Sequence, residues 1–323
     1  APRCPIADVP DLRTEPPQLF DYAANLQSDV FGANLFSGYW PDGADGPGPD
    51  GWWSTGDVGF LDDGGASARA QLILEHLRRW RTWDADAGAS PFGTRFVGHI
   101  DLDRVGLMGH SRGGEAVTVA GAFNRLAYYP DDATVKFDFN FDIKSVVAIA
   151  PVDGQYRPAD KPTPVANYNY FLIHGSHDGD VSTFNGLAQY ERIRFTDGKP
   201  WFKSAVFVYR ANHGQWNTTW GSLDGGPRSA RSLDTRGLIS QADQRKFAEV
   251  YISAFLDATL RGKSEYLPMF RDHRVVGQWL PKTMYTTRFQ ESGFRTAADF
   301  EEDVDVTSGS VAGIVLSSDS VAV

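Results

Sequence analysis

The sequence predicts an α/β chain with a mainly parallel sheet covered by helices on both faces, and three observations predict it. Short apolar or β-branched runs recur at Val105–Met108, in "SVVAIAPVD" (145–153) and at Phe171–His174. These runs lack the in–out alternation of a sheet wetted on one side, as expected of strands buried on both faces. Between them lie segments of helical period, which is the βα rhythm of a parallel sheet.

Taken in order, the first 65 residues are the exception. "APRCPIADVPDLRTEPPQ" reads as an extended, proline-punctuated lead-in, "LFDYAANLQ" as a short helix and "VFGANLFSGYW" as a strand. "PDGADGPGPDG" is a Gly/Pro/Asp loop; its aspartates lack the alternating ligands and closing glutamate of an EF-hand loop, so a solvated loop is expected. After residue 65, "ASARAQLILEHLRRWRTW" has helical spacing, with Leu72, Leu74, Leu77 and Trp80 among its apolar positions. The strand at 105–108 leads into a helix from about Gly113 to Leu126. "VKFDFNFDIK" alternates from Phe137 to Ile143, predicting an edge strand or ribbon with Asp138, Asn140 and Asp142 on a wet face.

Strands at 145–150 and 171–174 come next, then a helix in "FNGLAQYERIR", a strand in "SAVFVYRANHG" and a long amphipathic helix ending at Gly262. The tail, "FEEDVDVTSGSVAGIVLSSDSVAV", has alternating valines and Ser/Gly turns and reads as the opening strands of a β-rich module. The expected organisation is one domain over 1–290, with 1–65 irregular, and a β-like tail over 291–323.

Composition narrows the classes of function. The chain has 323 residues, a net charge of −10 and 41% hydrophobic residues, so a large core is available. The acidic balance argues against nucleic acid or an anionic membrane surface as partner. No apolar window approaches the length of a membrane span. Cys4 is the only cysteine, so neither an internal disulfide nor a cysteine metal site is expected. The chain opens on Ala1 without a charged-then-apolar leader, and a secreted protein whose leader has been removed is the expectation, with a cytoplasmic one beside it.

Chemistry concentrates in "DRVGLMGHSRGGEAVTVA" (103–120). A Gly-x-Ser-x-Gly match is cheap in a chain with 33 glycines, and a glycine-rich turn whose serine caps a helix accounts for it as well. Context adds weight, because a buried strand precedes Ser111 and a helix follows it, the setting in which a strained turn exposes a nucleophilic Oγ. The backbone N–H of Arg112, at the helix start, then points at a developing oxyanion. A serine needs a base oriented by a carboxylate, and on this kind of sheet they follow in the order Ser, acid, His. Of the seven histidines, His213 lies on a glycine-containing loop after a strand, whereas His273 reads as part of a charged surface turn. For the acid, "FLIHGSHDGDVS" offers Asp178 and Asp180 past a strand end. Asp178 is preferred and Asp180 stays open; His110, His174 and His177 read as packing or strand-end residues.

"GLMGHSRGGEAV", "IAPVDG", "LIHGSHDGDV" and "ANHGQWN", in this order, resemble the α/β-hydrolases, and within them the branch of dienelactone hydrolases and cutinase-like polyester hydrolases. The likeness covers about residues 65–265. It implies a serine hydrolase working through an acyl-enzyme on a small-molecule or polymeric ester, with Ser111 as nucleophile, His213 as base and Asp178 as orienter, and with no metal or cofactor required. The N-terminal part departs from that pattern: only about 100 residues, mostly irregular, precede the serine strand, and no His-Gly-Gly oxyanion motif is present. "LFSGYW" resembles the turn that supplies the second oxyanion N–H in the polyester-hydrolase branch, which nominates Tyr39; an ordinary strand end is the other reading. Trp216 and Tyr156 are candidates for a substrate pocket, with Trp220 close by, and core packing is their alternative. A peptidase of the same fold and a non-catalytic binding protein on a hydrolase scaffold are the competing functions. Acyl specificity and oligomeric state are not legible.

Overall fold

A computed structural model describes residues 34–39 (as backbone), 65–224, 234–298, 304–305, 307–315 and 317. The helix expected at 19–27, the loop at 41–51, and Trp52 and Trp53 lie outside the described residues.

The elements in chain order are β1 (Asn34–Tyr39), α1 (Ala66–Ala85), β2 (Ile100–His110), α2 (Arg112–Phe123), β3 (Tyr128–Tyr129), β4 (Asp132–Lys136), β5 (Ile143–Ile149) and β6 (Val165–Ala166). They continue with β7 (Asn169–Gly175), α3 (Asn185–Arg192), β8 (Ile193–Arg194), β9 (Phe202–Val208), α4 (Gln241–Leu260), α5 (Leu267–Arg271) and β10 (Tyr285–Glu291). The central sheet runs β1-β2-β5-β7-β9-β10. Its four inner strands are parallel, and β1 and β10 close the edges antiparallel. The molecule is therefore a mixed α/β structure with a mainly parallel sheet.

Period-two alternation sends successive side chains of each inner strand to opposite faces. Val147, Ile149, Phe171, Ile173, Val206 and Val208 join one core cluster with Phe247, Tyr251 and Phe255 of α4. Val146, Ala148, Tyr170 and Leu172 join the other, with Leu74 and Leu77 of α1 and Val117 and Ala120 of α2. Helices thus cover both faces, which is why the strands read as unbroken apolar runs. Each Val, Leu, Ile or Phe among them, fully buried, is worth about 1.5–3 kcal/mol. In α1 the inward stripe is Ala66, Ala70, Ile73, Leu74 and Leu77, while Leu72 faces out.

The expected edge strand at 137–143 is a correction. Phe137, Phe139 and Phe141 do turn inward between exposed polar residues, but no ladder forms until Ile143. Asn124 takes the place of a partner strand: its Oδ1 accepts from Phe141 N at 2.8 Å and its Nδ2 donates to Phe141 O at 2.7 Å. Asn140, at φ 48°, breaks the extended run. The strand pairing here lies just upstream, between β3 and β4.

β10 falls where the sequence led to no expected element, and it ends at Glu291, the start of the expected tail. Within the tail, Ser308 and Val315 form an antiparallel bridge. Because β2, β5, β7 and β9 run parallel, their C-terminal ends share one edge of the sheet, where ligands bind in open α/β structures.

Candidate active site

Ser111 stands directly between β2 and α2, with φ 57° and ψ −122°. Positive φ in a residue with a Cβ costs about 1–3 kcal/mol, so the surroundings must hold it. Ser111 N donates to Ile149 O at 2.9 Å, and Ser111 O accepts from Gly114 N at 3.0 Å. Gly109 lets strand and helix approach: a Cβ there would sit 2.1 Å from the carbonyl oxygen of Gly113. Arg112, the first residue of α2, has no carbonyl one turn back in the helix for its N–H, so that donor is available beside the serine at the positive end of the helix.

Asp178 and His213 arise from the loops after β7 and β9. Those loops are pressed together, since a Cβ on Gly175 would lie 2.3 Å from Ala211 O. His213 Nδ1 and Asp178 Oδ2 are hydrogen-bonded at 2.8 Å, and both side chains are almost wholly buried. The other carboxylate oxygen of Asp178 accepts from Asp180 N at 3.0 Å and Val181 N at 2.7 Å. Asp180 lies on the opposite side of the imidazole, with its Oδ2 3.5 Å from His213 Nε2 and its side chain half exposed. Of the two carboxylates, Asp178 is the one hydrogen-bonded to Nδ1. Among the described residues, His213 Nε2 has no hydrogen-bond partner.

Burial opposes the charged form of His213, but the hydrogen bond and charge of Asp178, with the charges of Asp180 and Asp224, outweigh it and hold the imidazole above its ordinary pKa. His110, next to Ser111, is driven well below the ordinary value by burial and by the His213 charge. The His110 ring centroid lies 4.6 Å from that of His213, so the serine turn and His213 adjoin. The His110 ring also packs on Trp220, centroids 5.0 Å apart. His174 also adjoins Asp178, its Nε2 3.7 Å from the same Oδ2 and bonded to Val181 O at 3.1 Å. His273 instead packs on Tyr285.

Three nominated residues are not brought to this cluster. Tyr39 pairs with Ile100, whereas Asn34 pairs with Met108. Because β1 is antiparallel, Tyr39 lies at the other end of the sheet, about 30 Å from Ser111 at strand rise, and its N–H is not beside the serine. Trp216 is fully buried in the core against Phe247. Tyr156 packs edge-on against Phe123 and borders a cavity of about 10 Å³, room for about one water and not for an acyl group. The aromatic ring beside the base is Trp220, stacked on His213 at 5.9 Å and 13° and 42% exposed.

Sequence reasoning also missed Asp224, a buried carboxylate in "GSLDGG" with no periodic or motif signal. Ser176, His177, Asp178, Asn212 and Asp224 border a cavity of about 190 Å³. Among the described residues no cluster of three or more His, Cys, Asp or Glu is arranged to hold a metal, and no helix is long and apolar enough to cross a membrane. In comparisons with known proteins, no protein-family model and no curated protein matches the chain.

Proposed function

We propose that the chain is a serine carboxylic-ester hydrolase of the α/β-hydrolase fold, acting through an acyl-enzyme. The observation that carries this reading is the buried 2.8 Å His213–Asp178 pair, with Nε2 unpartnered among the described residues, beside a serine held at φ 57° on a strand-to-helix turn. The ring contact between His110 and His213 supports it, because it brings the base to the residue preceding the serine.

Ser111 Oγ attacks the ester carbonyl carbon while His213 Nε2 takes the hydroxyl proton. Asp178 accepts the Nδ1–H, fixes the tautomer and stabilises the imidazolium. The oxyanion receives a hydrogen bond from Arg112 N–H at the start of α2. Collapse of the tetrahedral intermediate breaks the bond to the alcohol oxygen, and Nε2–H protonates that leaving group. Water, deprotonated by the same nitrogen, then releases the acid and restores the serine.

The test is hydrolysis of p-nitrophenyl esters from acetyl to octanoyl by the wild type and by Ser111→Ala. Turnover of at least one ester, falling about 10⁴–10⁶-fold in kcat in the variant, is expected. A folded wild type inactive on the whole series, or a variant as active as the wild type, overturns the reading.

A further inference from the structure

We infer that Asp224 is a positioning residue: its carboxylate fastens the backbone beside the acid to the backbone of the base and so sets the Asp178–His213 geometry. The inference rests on the serine-hydrolase reading for its catalytic meaning, but the geometry stands by itself. Asp224 Oδ2 accepts from His213 N at 2.8 Å and from Gly179 N at 2.9 Å. Oδ1 accepts from Gly214 N at 2.8 Å and from Asn212 Nδ2 at 2.7 Å. All four lone-pair positions of an ionised carboxylate are thereby filled.

The placement matters more than the number. Gly179 directly follows the acid and His213 is the base, and one oxygen atom holds both N–H groups. The two loops leave adjacent parallel strands and are joined at their bases, His177 N donating to Ala211 O at 2.8 Å and Arg210 N to Ser176 Oγ at 2.8 Å. Asp224 adds the tie between the backbone next to Asp178 and that of His213 itself. Gln244 of α4 pins the same loop from beneath, accepting from Asn212 N at 3.1 Å and donating to Asn212 O at 2.8 Å. That second clamp touches neither the acid loop nor His213, so Asp224 alone of the two couples acid to base.

The residue type follows from the chemistry. An asparagine oxygen accepts two of the four donors, and its amide N–H₂ would face the other two. A carboxylate also places negative charge near the imidazole, which together with Asp178 and Asp180 favours its protonated form; the nearby His110 and His174 are lowered by burial and by the His213 charge.

The experiment compares full-length wild type and Asp224→Asn by two readouts. The first is NMR of the histidines, following the downfield Nδ1–H resonance of His213 and its imidazole titration. The second is kcat and KM on the best p-nitrophenyl ester. Expected are a broadened or displaced Nδ1–H resonance, a His213 pKa lower by about 0.5 to 1 unit, and kcat lower by about 10- to 100-fold with KM changed less than about threefold. A folded variant with the wild-type resonance and titration overturns the inference, even if its melting temperature falls, because a merely structural residue would move only stability. If Asp224→Asn does not fold, amide hydrogen exchange in the wild type decides: the tie requires the Gly179 and His213 N–H groups, both held by Oδ2, to be protected, and exchange of either at the rate of an unprotected amide overturns the inference. A wild type inactive on every ester sinks the hydrolase reading instead, and the NMR comparison still decides the role of Asp224.

Discussion

On the serine side of the candidate site, position comes from backbone shape. Ser111 is held at positive φ by the strand before it, the helix after it and the near contact of Gly109 with Gly113. On the histidine side, position comes from charge and hydrogen bonds: Asp178 and Asp224 between them accept seven, from His213, Asp180, Val181, Gly179, Gly214 and Asn212. The difference teaches that the two halves fail in different ways. Steric positioning fails through folding, because an atom without room displaces the backbone. Polar positioning fails through protonation and orientation while the fold persists.

Asp178→Asn is the largest expected break of the polar half. The amide can no longer hold the Nδ1–H tautomer, and kcat should fall by about 10⁴-fold on the best ester. The variant should stay folded by circular dichroism, because the amide oxygen still accepts the Asp180 and Val181 N–H groups. A loss under about tenfold would mean that Asp178 does not orient the base.

Gly109→Ala is the counterpart on the steric half. The added Cβ would meet Gly113 O at 2.1 Å, and backbone, not a flexible side chain, would have to yield. Destabilisation of about 2–4 kcal/mol is expected in urea unfolding, with activity lost in step with folded protein. A variant as stable as the wild type would show that the strand–helix approach is slack and that Ser111 is held by something else.

What the sequence disclosed follows the same division. Strands β5, β7 and β9 are legible because burial on both faces makes them unbroken apolar runs. The serine turn is legible because close approach demands glycine at fixed offsets. Asp178 and His213 are legible as loop residues after strands, since the order of a parallel sheet carries strand-end loops to one edge. Asp224 is not, because its role lies in contacts across space to residues 179, 212, 213 and 214, and nothing in "GSLDGG" marks it. Tyr39 misleads because a local pattern gives no strand direction, and antiparallel pairing carries it away from the serine. Trp216 and Trp220 are four residues apart on an irregular loop, where no period says which ring enters the core. β10 escapes notice because an edge strand with one buried residue, Tyr285, has almost no apolar pattern.

Asp180→Asn separates the two carboxylates that flank the base and carries the smallest effect. On the proposed mechanism His213 must be neutral to accept the serine proton, so kcat/KM should rise with pH through the His213 pKa, which is held above the ordinary histidine value. Burial opposes the charge on that imidazole, while Asp178 at Nδ1, Asp180 near Nε2 and the charge of Asp224 favour it; the neighbouring His110 and His174 are themselves lowered by its charge. Removing the Asp180 charge should move the acid limb to lower pH by about 0.5 unit, a modest shift because that side chain is half exposed and screened. The plateau should stay within about threefold of wild type. Stability carries a matching sign. A folded pKa raised above the unfolded value contributes stability fully present below about pH 6.5 and lost as pH rises through the folded value. His110 and His174, lowered by burial, act oppositely, and both are common to the variant and the wild type. The melting-temperature deficit of Asp180→Asn should therefore be greatest in acid and vanish above the His213 pKa. An acid limb that stays in place would remove Asp180 from the electrostatics of the base, and a plateau collapse like that of Asp178→Asn would mean that both carboxylates orient it.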